Sequence, residues 1–199
     1  MVIESKYDFS FTGFSLRLKE MVKVANAKTQ NSEFNAVQEI GNGKTSTTKK
    51  FLNEINKRIE SLTEAQMAFF IDSDLHTQRQ IAFLSVCKVH GYIRDFVVEV
   101  LREKVLVFDY QISEGEYLSF HRRKLDEHIK MNDFSELTHN KIRQVLFKIL
   151  EEAGIIDNTK NKEIQPQLVD SKLMRIIAND DKEWLKLFFV SDMDIENFN

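Results

Sequence analysis

The residues that most often carry out catalysis or bind metals are few and scattered in this sequence. The histidines fall on several predicted helices, and no two have the H-E-x-x-H spacing that places two metal ligands on one helix face: they are His76, His90, His121, His128 and His139. Cys87 and His90 could share a helix face, but a tetrahedral zinc site needs more ligands and the chain has no second cysteine. The sequence therefore predicts a protein that is not an enzyme and needs no metal or other cofactor, with Cys87 as a small buried apolar residue.

A glycine-rich stretch, residues 41–46, resembles the end of a phosphate-binding loop. It reads Gly-Asn-Gly-Lys-Thr-Ser, but it lacks the first glycine of that motif and no β-strand precedes it. Two interpretations remain open. Lys44, Lys49 and Lys50, with the backbone amides that begin the following helix, could hold a nucleic-acid phosphate, or they could form an ordinary solvated face.

The last third of the chain contains the clearest amphipathic helix. Thr138 is a candidate N-cap, and Gly154 is placed to end the helix. Lys141, Gln144 and Lys148 fall on one side of it, opposite the apolar stripe, as spacings of three and four residues require. A polar face of this kind can meet DNA phosphates, and the glutamine amide can bond the edge of an adenine.

A polar, asparagine-rich segment follows this helix at once. Residues 155–166 have short apolar ends and carry Lys160 and Lys162 near the centre, which is typical of a hairpin. A helix followed by such a hairpin predicts a helix-turn-helix or winged-helix arrangement, in which the helix enters the major groove and the wing touches the backbone.

Charge is distributed unevenly along the chain. The formal net charge is −3, so a nucleic-acid interface must depend on local surpluses of basic residues. Residues 121–150 contain seven lysines and arginines against four acids, and they include the basic run Arg122, Arg123 and Lys124. A basic surface can therefore exist on an acidic protein, although lysines on a solvated helix face need no partner.

Composition and apolar periodicity predict an all-α multi-helix bundle. One proline, six glycines and sixteen phenylalanines favour long helices around an aromatic core. The predicted helices cover about residues 13–28, 32–40, 47–62, 64–70, 74–90, 92–109, 113–129, 138–153, 171–178 and 181–189. Capping boxes are expected at Thr63 and Ser113. Residues 1–112 would form an N-terminal helical bundle and residues 113–199 a C-terminal, winged-helix-like part packed on it, or the whole chain a single domain.

Nothing in the sequence indicates export or a membrane span. The N-terminus has no apolar run, and the most apolar stretch, residues 92–110, carries seven charged residues. The single cysteine fits a reducing compartment. We expect a cytoplasmic protein with no membrane partner.

Three segments, spread over most of the chain, resemble those of a known family. They are residues 9–16 (FSFTGFSL), 96–104 (FVVEVLREK) and 142–154 (IRQVLFKILEEAG). The family that they resemble is BrxA. The resemblance implies a small, helical, DNA-binding protein that is one component of a BREX bacteriophage-exclusion system. Such a component is encoded beside a methyltransferase, an ATPase and an alkaline-phosphatase-like protein. The resemblance supplies no DNA-contact motif, so the candidate residues above come from charge and periodicity alone.

Two functions follow from these observations. In the first, the chain is an accessory subunit that binds double-stranded DNA mainly through phosphates, beside other BREX subunits. In the second, it is a protein-interaction scaffold of the same complex, and its phenylalanines and acidic C-terminal region serve partner subunits. A hydrolase or nuclease is the least favoured function, because no set of carboxylates and histidines has metal-ligand spacing.

Overall fold

The protein is a helical bundle with an aromatic core. A computed structural model describes residues 7–30, 35–40 and 45–198, with the side chains of 45–47 excepted. The α-helices are α1 (Leu18–Gln30), α2 (Ala36–Glu39), α3 (Thr45–Glu60), α4 (Glu64–Asp72), α5 (Leu75–Val89), α6 (Gly91–Phe96), α7 (Glu103–Leu106), α8 (Glu114–Glu127), α9 (Glu136–Ala153), α10 (Ser171–Ala178) and α11 (Asp192–Glu196). Short 3₁₀ helices cover Ser10–Gly13, Ile129–Asp133 and Lys182–Phe188. Since no regular strand occurs in these ranges, the predicted all-α class is confirmed.

Helix α5 lies at the centre of the bundle. It contacts α1, α3, α4, α6 and α9, and its residues from Gln80 to Cys87 are all buried. Residues 92–109, predicted as one helix, form α6, a π-helical segment (Val97–Arg102) and α7, whose last residue is exposed. None of the helices in the described part of the chain is long and apolar enough to cross a bilayer.

Local capping signals mark several helix ends as predicted. Thr63 and Ser113 both form capping boxes, with Gln66 and Glu116 as their partners. Gly154 ends α9 with φ of 75°, a left-handed conformation that glycine adopts without strain. The N-cap of α9 is not Thr138 but Ser135, because the Ser135 hydroxyl accepts the backbone N–H of Thr138.

Residues 14–17, between the 3₁₀ helix at Ser10–Gly13 and α1, are not helical, contrary to the prediction that the first helix begins near residue 13. Backbone groups there bond to distant side chains instead of to a helix. The N–H of Leu16 donates to Glu152 at 2.7 Å, and the Arg58 guanidinium donates to the carbonyls of Ser15 and Leu16. Arg17 has φ of 55°, and α1 begins at the next residue.

A buried ionic cluster holds this segment against the core. Glu54 Oε1 lies 3.0 Å from Arg58 Nε and 2.6 Å from His90 Nε2, and its second oxygen accepts the Ser10 hydroxyl. His90 Nδ1 lies 3.0 Å from the carbonyl oxygen of Asp8. Burial alone would raise the pKa of Glu54, but the hydrogen bond with His90 and the charge of Arg58 lower it to about 2. Glu54 is therefore a buried carboxylate that depends on its partners.

The segment predicted to be a hairpin is a closed loop without regular strands. Ile156 and Ile164 form a single antiparallel bridge, and Glu163 forms another with Gln111. The Asp157 carboxylate accepts the N–H groups of Asn158 and Glu163, so side-chain bonds replace much of a strand ladder. In residues 155–165, here called the 155–165 loop, the chain reverses direction, as the predicted hairpin requires.

We expect Arg58→Met to destabilise the fold strongly. The substitution leaves the Glu54 carboxylate buried without its guanidinium partner, which typically costs about 3–5 kcal/mol. Urea denaturation followed by circular dichroism measures the change in free energy of unfolding. Arg122→Met, at an exposed position of α8, is the matched control and should change it by less than about 0.5 kcal/mol. Equal effects of the two substitutions would contradict this role for the cluster.

Candidate nucleic-acid interface

The outer face of α9 forms the floor of an open groove of about 720 Å³. One wall is the N-terminal segment at residues 12–15, and the other is the tip of the 155–165 loop. The α9 residues that line it are Asn140, Lys141, Arg143, Gln144, Val145, Phe147 and Lys148, and the loop contributes Thr159 and Lys162. We call this depression the α9 groove.

Core packing decides which face of α9 lines the groove. Ile142, Leu146 and Ile149 are completely buried, so Lys141, Gln144 and Lys148 point away from the core. The walls are fixed by contacts to the two flanks of the helix. Glu152 bonds the N-terminal segment on one side, and the Lys162 ammonium lies 4.9 Å from the centre of the Phe147 ring on the other.

Four of the residues predicted to contact DNA are thus brought together. Lys141, Gln144, Lys148 and Lys162 come from two elements and all line the α9 groove. Arg143 also lines the groove, although the sequence indicated it only as one of the basic residues in the local charge surplus of residues 121–150. The structure therefore assembles one basic site from a helix face and a loop tip, as the spacing of residues 138–162 suggested.

Most of the basic groups in the groove are paired with carboxylates. Lys148 Nζ lies 2.9 Å from Glu151, and this hydrogen bond raises the pKa of Lys148 above its usual value. Arg143 pairs with Glu114, which also lies 3.9 Å from Lys162. The side chains of these pairs are partly exposed, so solvent screens the attraction and a competing phosphate can replace the carboxylates.

The amide of Gln144 is also engaged within the groove. Its Oε1 accepts a hydrogen bond from Lys141 Nζ at 3.1 Å. Since both side chains are exposed, the bond is easily exchanged for one to water or to a ligand.

The basic run on α8 does not line the groove. The prediction that Lys124 contacts DNA is wrong. Its side chain is only 4% exposed, and its ammonium pairs with Asp95, Glu99 and Glu127. Arg123 also pairs with Glu99, while Arg122 is exposed. The run is therefore largely neutralised by its own neighbours.

The remaining residues that the sequence predicted to contact DNA lie near the start of α3 or on the 155–165 loop. Lys49 and Lys50 are exposed near the start of α3, and Lys44 lies outside the described residues. Lys160 is exposed on the 155–165 loop, where its backbone N–H donates to the Asn158 side chain. None of these three lysines of the described part lines the groove.

Sequence reasoning missed the wall formed by residues 12–15. This segment contributes the half-buried ring of Phe14, which contacts Phe51 of α3 edge-to-face with 5.1 Å between ring centres. It lies more than a hundred positions before α9, and no periodicity links the two. Packing of the Ser10–Gly13 helix against α9 and the bond between Leu16 and Glu152 bring them together.

Comparison of the sequence with models of known protein families identifies the relatives of this chain. The BrxA family model matches residues 5–181, nearly the whole chain. The chain belongs to the BrxA family. The "BREX protein BrxA" of Bacillus cereus (strain H3081.97) is 25% identical over 126 residues, which are 63% of this chain and 63% of that protein, so the match spans less than two thirds of the relative. The resemblance predicted from the sequence is confirmed.

A solved structure shares the same fold. The crystal structure of an uncharacterized protein from Magnetospirillum magneticum superposes with a TM-score of 0.76 and 16% sequence identity. The superposition covers 92% of this chain and 97% of that protein. At this level of identity the likeness describes the arrangement of helices only.

The histidines of this BrxA-family chain have structural contacts. Both ring nitrogens of His90 are engaged in the Glu54 cluster, so Cys87 and His90 form no dyad. Cys87 is completely buried as predicted, and burial raises its pKa. His128 stacks on Tyr7 with 3.6 Å between ring centres. Among the described residues no group of three or more histidine, cysteine, aspartate or glutamate side chains could hold a metal ion.

His121 is held in its neutral form by its surroundings. It is buried between α8 and α9, with Nδ1 2.7 Å from the Tyr92 hydroxyl and Nε2 3.0 Å from His139 Nδ1. Burial first, and then the neighbouring His139, lower its pKa to about 4.

We expect His121 to make the protein less stable in mild acid. The unfolded chain takes up a proton as the pH falls below about 6.5, whereas the folded chain does so only near 4, so stability falls as the pH is lowered through this window. Urea denaturation at about pH 7 and about pH 5 should show a further loss of about 1–2 kcal/mol that is absent in His121→Gln. Glutamine can still accept from Tyr92. An unchanged pH dependence in the variant would contradict the assignment.

Proposed function

We propose that this protein is a non-enzymatic DNA-binding component of a BREX phage-defence system and that it works in the cytoplasm. The observation that carries the proposal is the α9 groove, where Lys141, Arg143, Lys148 and Lys162 converge on one open depression. The name of the Bacillus cereus relative, a BREX protein, supports the assignment to such a system.

The contacts expected in this groove are mainly to phosphates. Ammonium and guanidinium groups at the rim suit phosphate oxygens, which position a protein on DNA without reading its sequence. Glu114, Glu151 and Glu152 partly neutralise the four basic groups, leaving a local surplus of one positive charge. Affinity should therefore be moderate, fall steeply with salt and depend little on sequence.

Binding without catalysis is supported by the roles of the groups that could react. His90 belongs to the Glu54 cluster and His121 bonds Tyr92, so both are occupied away from the groove. Cys87 is buried with a raised pKa, which opposes formation of the thiolate nucleophile.

Charge reversal in the groove should abolish most DNA binding. Lys141→Glu with Lys148→Glu replaces two phosphate partners by repelling carboxylates, and we expect the affinity for labelled duplex DNA to fall by at least about tenfold at about 50 mM salt. Fluorescence anisotropy at about 50 and about 200 mM salt measures both the affinity and its salt slope. The slope of the double variant should be shallower.

Two further variants make this experiment decisive. Lys130→Glu with Lys172→Glu changes the net charge equally at exposed positions outside the groove and should leave the affinity nearly unchanged. Glu114→Gln frees Arg143 and Lys162 from their carboxylate and should strengthen binding a few-fold. If both double variants weaken binding equally, DNA responds to the overall charge and the groove is not the site.

A scaffold function remains the second candidate because of one exposed apolar loop. Leu106 is the last residue of α7, and Val107 and Phe108 follow it in a turn, where Phe108 is 81% exposed with φ of 60°. A phenylalanine in this left-handed conformation is strained, and an exposed apolar run of this kind typically contacts a partner.

Substitution of this loop distinguishes the two candidates. We expect Val107→Ser with Phe108→Ser to reduce co-purification of the neighbouring BREX proteins while leaving DNA affinity unchanged, because the loop is not part of the groove. Pull-down of the tagged protein expressed with those proteins provides the measurement. Co-purification that survived this substitution would contradict a scaffold function of the loop.

A further inference from the structure

The shape of the α9 groove bears on which form of DNA it can accept. An α-helix with its side chains is about 10–12 Å across and by itself fills a major groove about 12 Å wide. Helix α9 carries a wall on each flank, residues 12–15 on one side and the tip of the 155–165 loop on the other. A duplex would therefore have to accommodate these two walls as well as the helix, which makes the winged-helix docking that the sequence predicted less favourable than binding of a narrower ligand.

A basic groove suits a nucleic-acid strand that is narrow enough to lie within it. A single nucleic-acid strand is narrow and flexible enough to follow the floor of the groove, with its phosphates near Lys141 and Lys148. The volume of about 720 Å³ is within the range of pockets that enclose small ligands, so it can hold a base with its sugar and phosphate.

One wall also offers an aromatic surface to a base. Phe14 lines the groove and contacts Phe51 edge-to-face, and because it is only half-buried, part of its ring remains accessible. The Arg17 guanidinium lies 4.2 Å from the centre of the Phe51 ring, and this contact helps to fix the position of Phe51 against Phe14. The other ring in the groove, Phe147, is 4% exposed beneath Lys162 and cannot stack.

We propose that the α9 groove binds an unpaired stretch of DNA, with a base stacked on Phe14 and the adjoining phosphates on Lys141 and Lys148. This inference depends on the proposed function and narrows it from DNA in general to single-stranded or locally opened DNA. A positively charged groove with a stacking aromatic ring is the combination by which proteins bind single strands without sequence preference.

The test compares a labelled oligothymidine of about 12 nucleotides with a blunt duplex of the same length by fluorescence anisotropy. We expect the single strand to bind more tightly than the duplex. Phe14→Leu keeps apolar bulk against Phe51 but removes the stacking face, and it should weaken single-strand binding about tenfold while changing duplex binding little.

The matched control is Phe69→Leu. Phe69 is also half-buried with a cation near its ring, Lys172 at 5.0 Å, but it lies on α4 away from the groove. This variant should bind both oligonucleotides like the unaltered protein, and circular dichroism of both variants checks that the fold is kept. Photo-crosslinking from bromodeoxyuridine in the single strand should label peptides containing residues 12–15 or 141–148.

The outcomes separate this inference from the proposed function. If the duplex binds through Lys141 and Lys148 while Phe14→Leu has no effect on either oligonucleotide, the inference is overturned and the proposed function stands. If neither oligonucleotide binds at low salt, both are overturned. Crosslinks confined to other segments would also overturn the inference, whatever the affinities.

Discussion

The buried ionic cluster of Glu54, Arg58 and His90 is the constraint on which the rest of the molecule depends. A carboxylate and a guanidinium lose their hydration in the core, and they remain charged there only because they bond each other and nearby polar groups. Those nearby groups belong to the N-terminal segment: the Ser10 hydroxyl and the carbonyls of residues 8, 15 and 16. The segment is thereby fixed across the core before α1 begins.

Fixing this segment creates the candidate site. Residues 12–15 become one wall of the α9 groove, and Glu152 at the end of α9 completes the connection by accepting the N–H of Leu16. The opposite wall depends on the 155–165 loop, whose turn is held by Asp157 and Asn158 side chains rather than by strands. The groove is therefore built by polar contacts on both sides of a helix whose inner face is apolar.

The charges of the groove show a balance between self-pairing and ligand binding. Lys148 and Arg143 are each close to a glutamate, so a phosphate must compete with groups of the protein itself. Exposed ion pairs contribute little stability and are screened by salt, so this competition is weak. The fully buried pairs of the Glu54 cluster do not exchange in this way, because separation would leave a charge in the core.

The sequence by itself determined the helical class, most helix positions and the family. Capping boxes at Thr63 and Ser113, the end of α9 at Gly154 and the burial of Cys87 were predictable because they depend on neighbours within a few residues or on apolar character. The outward face of α9, with Lys141, Gln144 and Lys148, followed from helical spacing for the same reason. The division at residue 112 stays a prediction.

Only the tertiary structure decided which basic residues share a surface. Lys124 and Lys148 look alike in the sequence, yet one is buried among three carboxylates of α6, α8 and the π-helical segment and the other lines the groove. The non-helical residues 14–17 and the wall at residues 12–15 both depend on bonds between residues far apart in the chain. Helical periodicity reports only local geometry, so it fixes the direction of a side chain from its helix but not what another segment places in front of it.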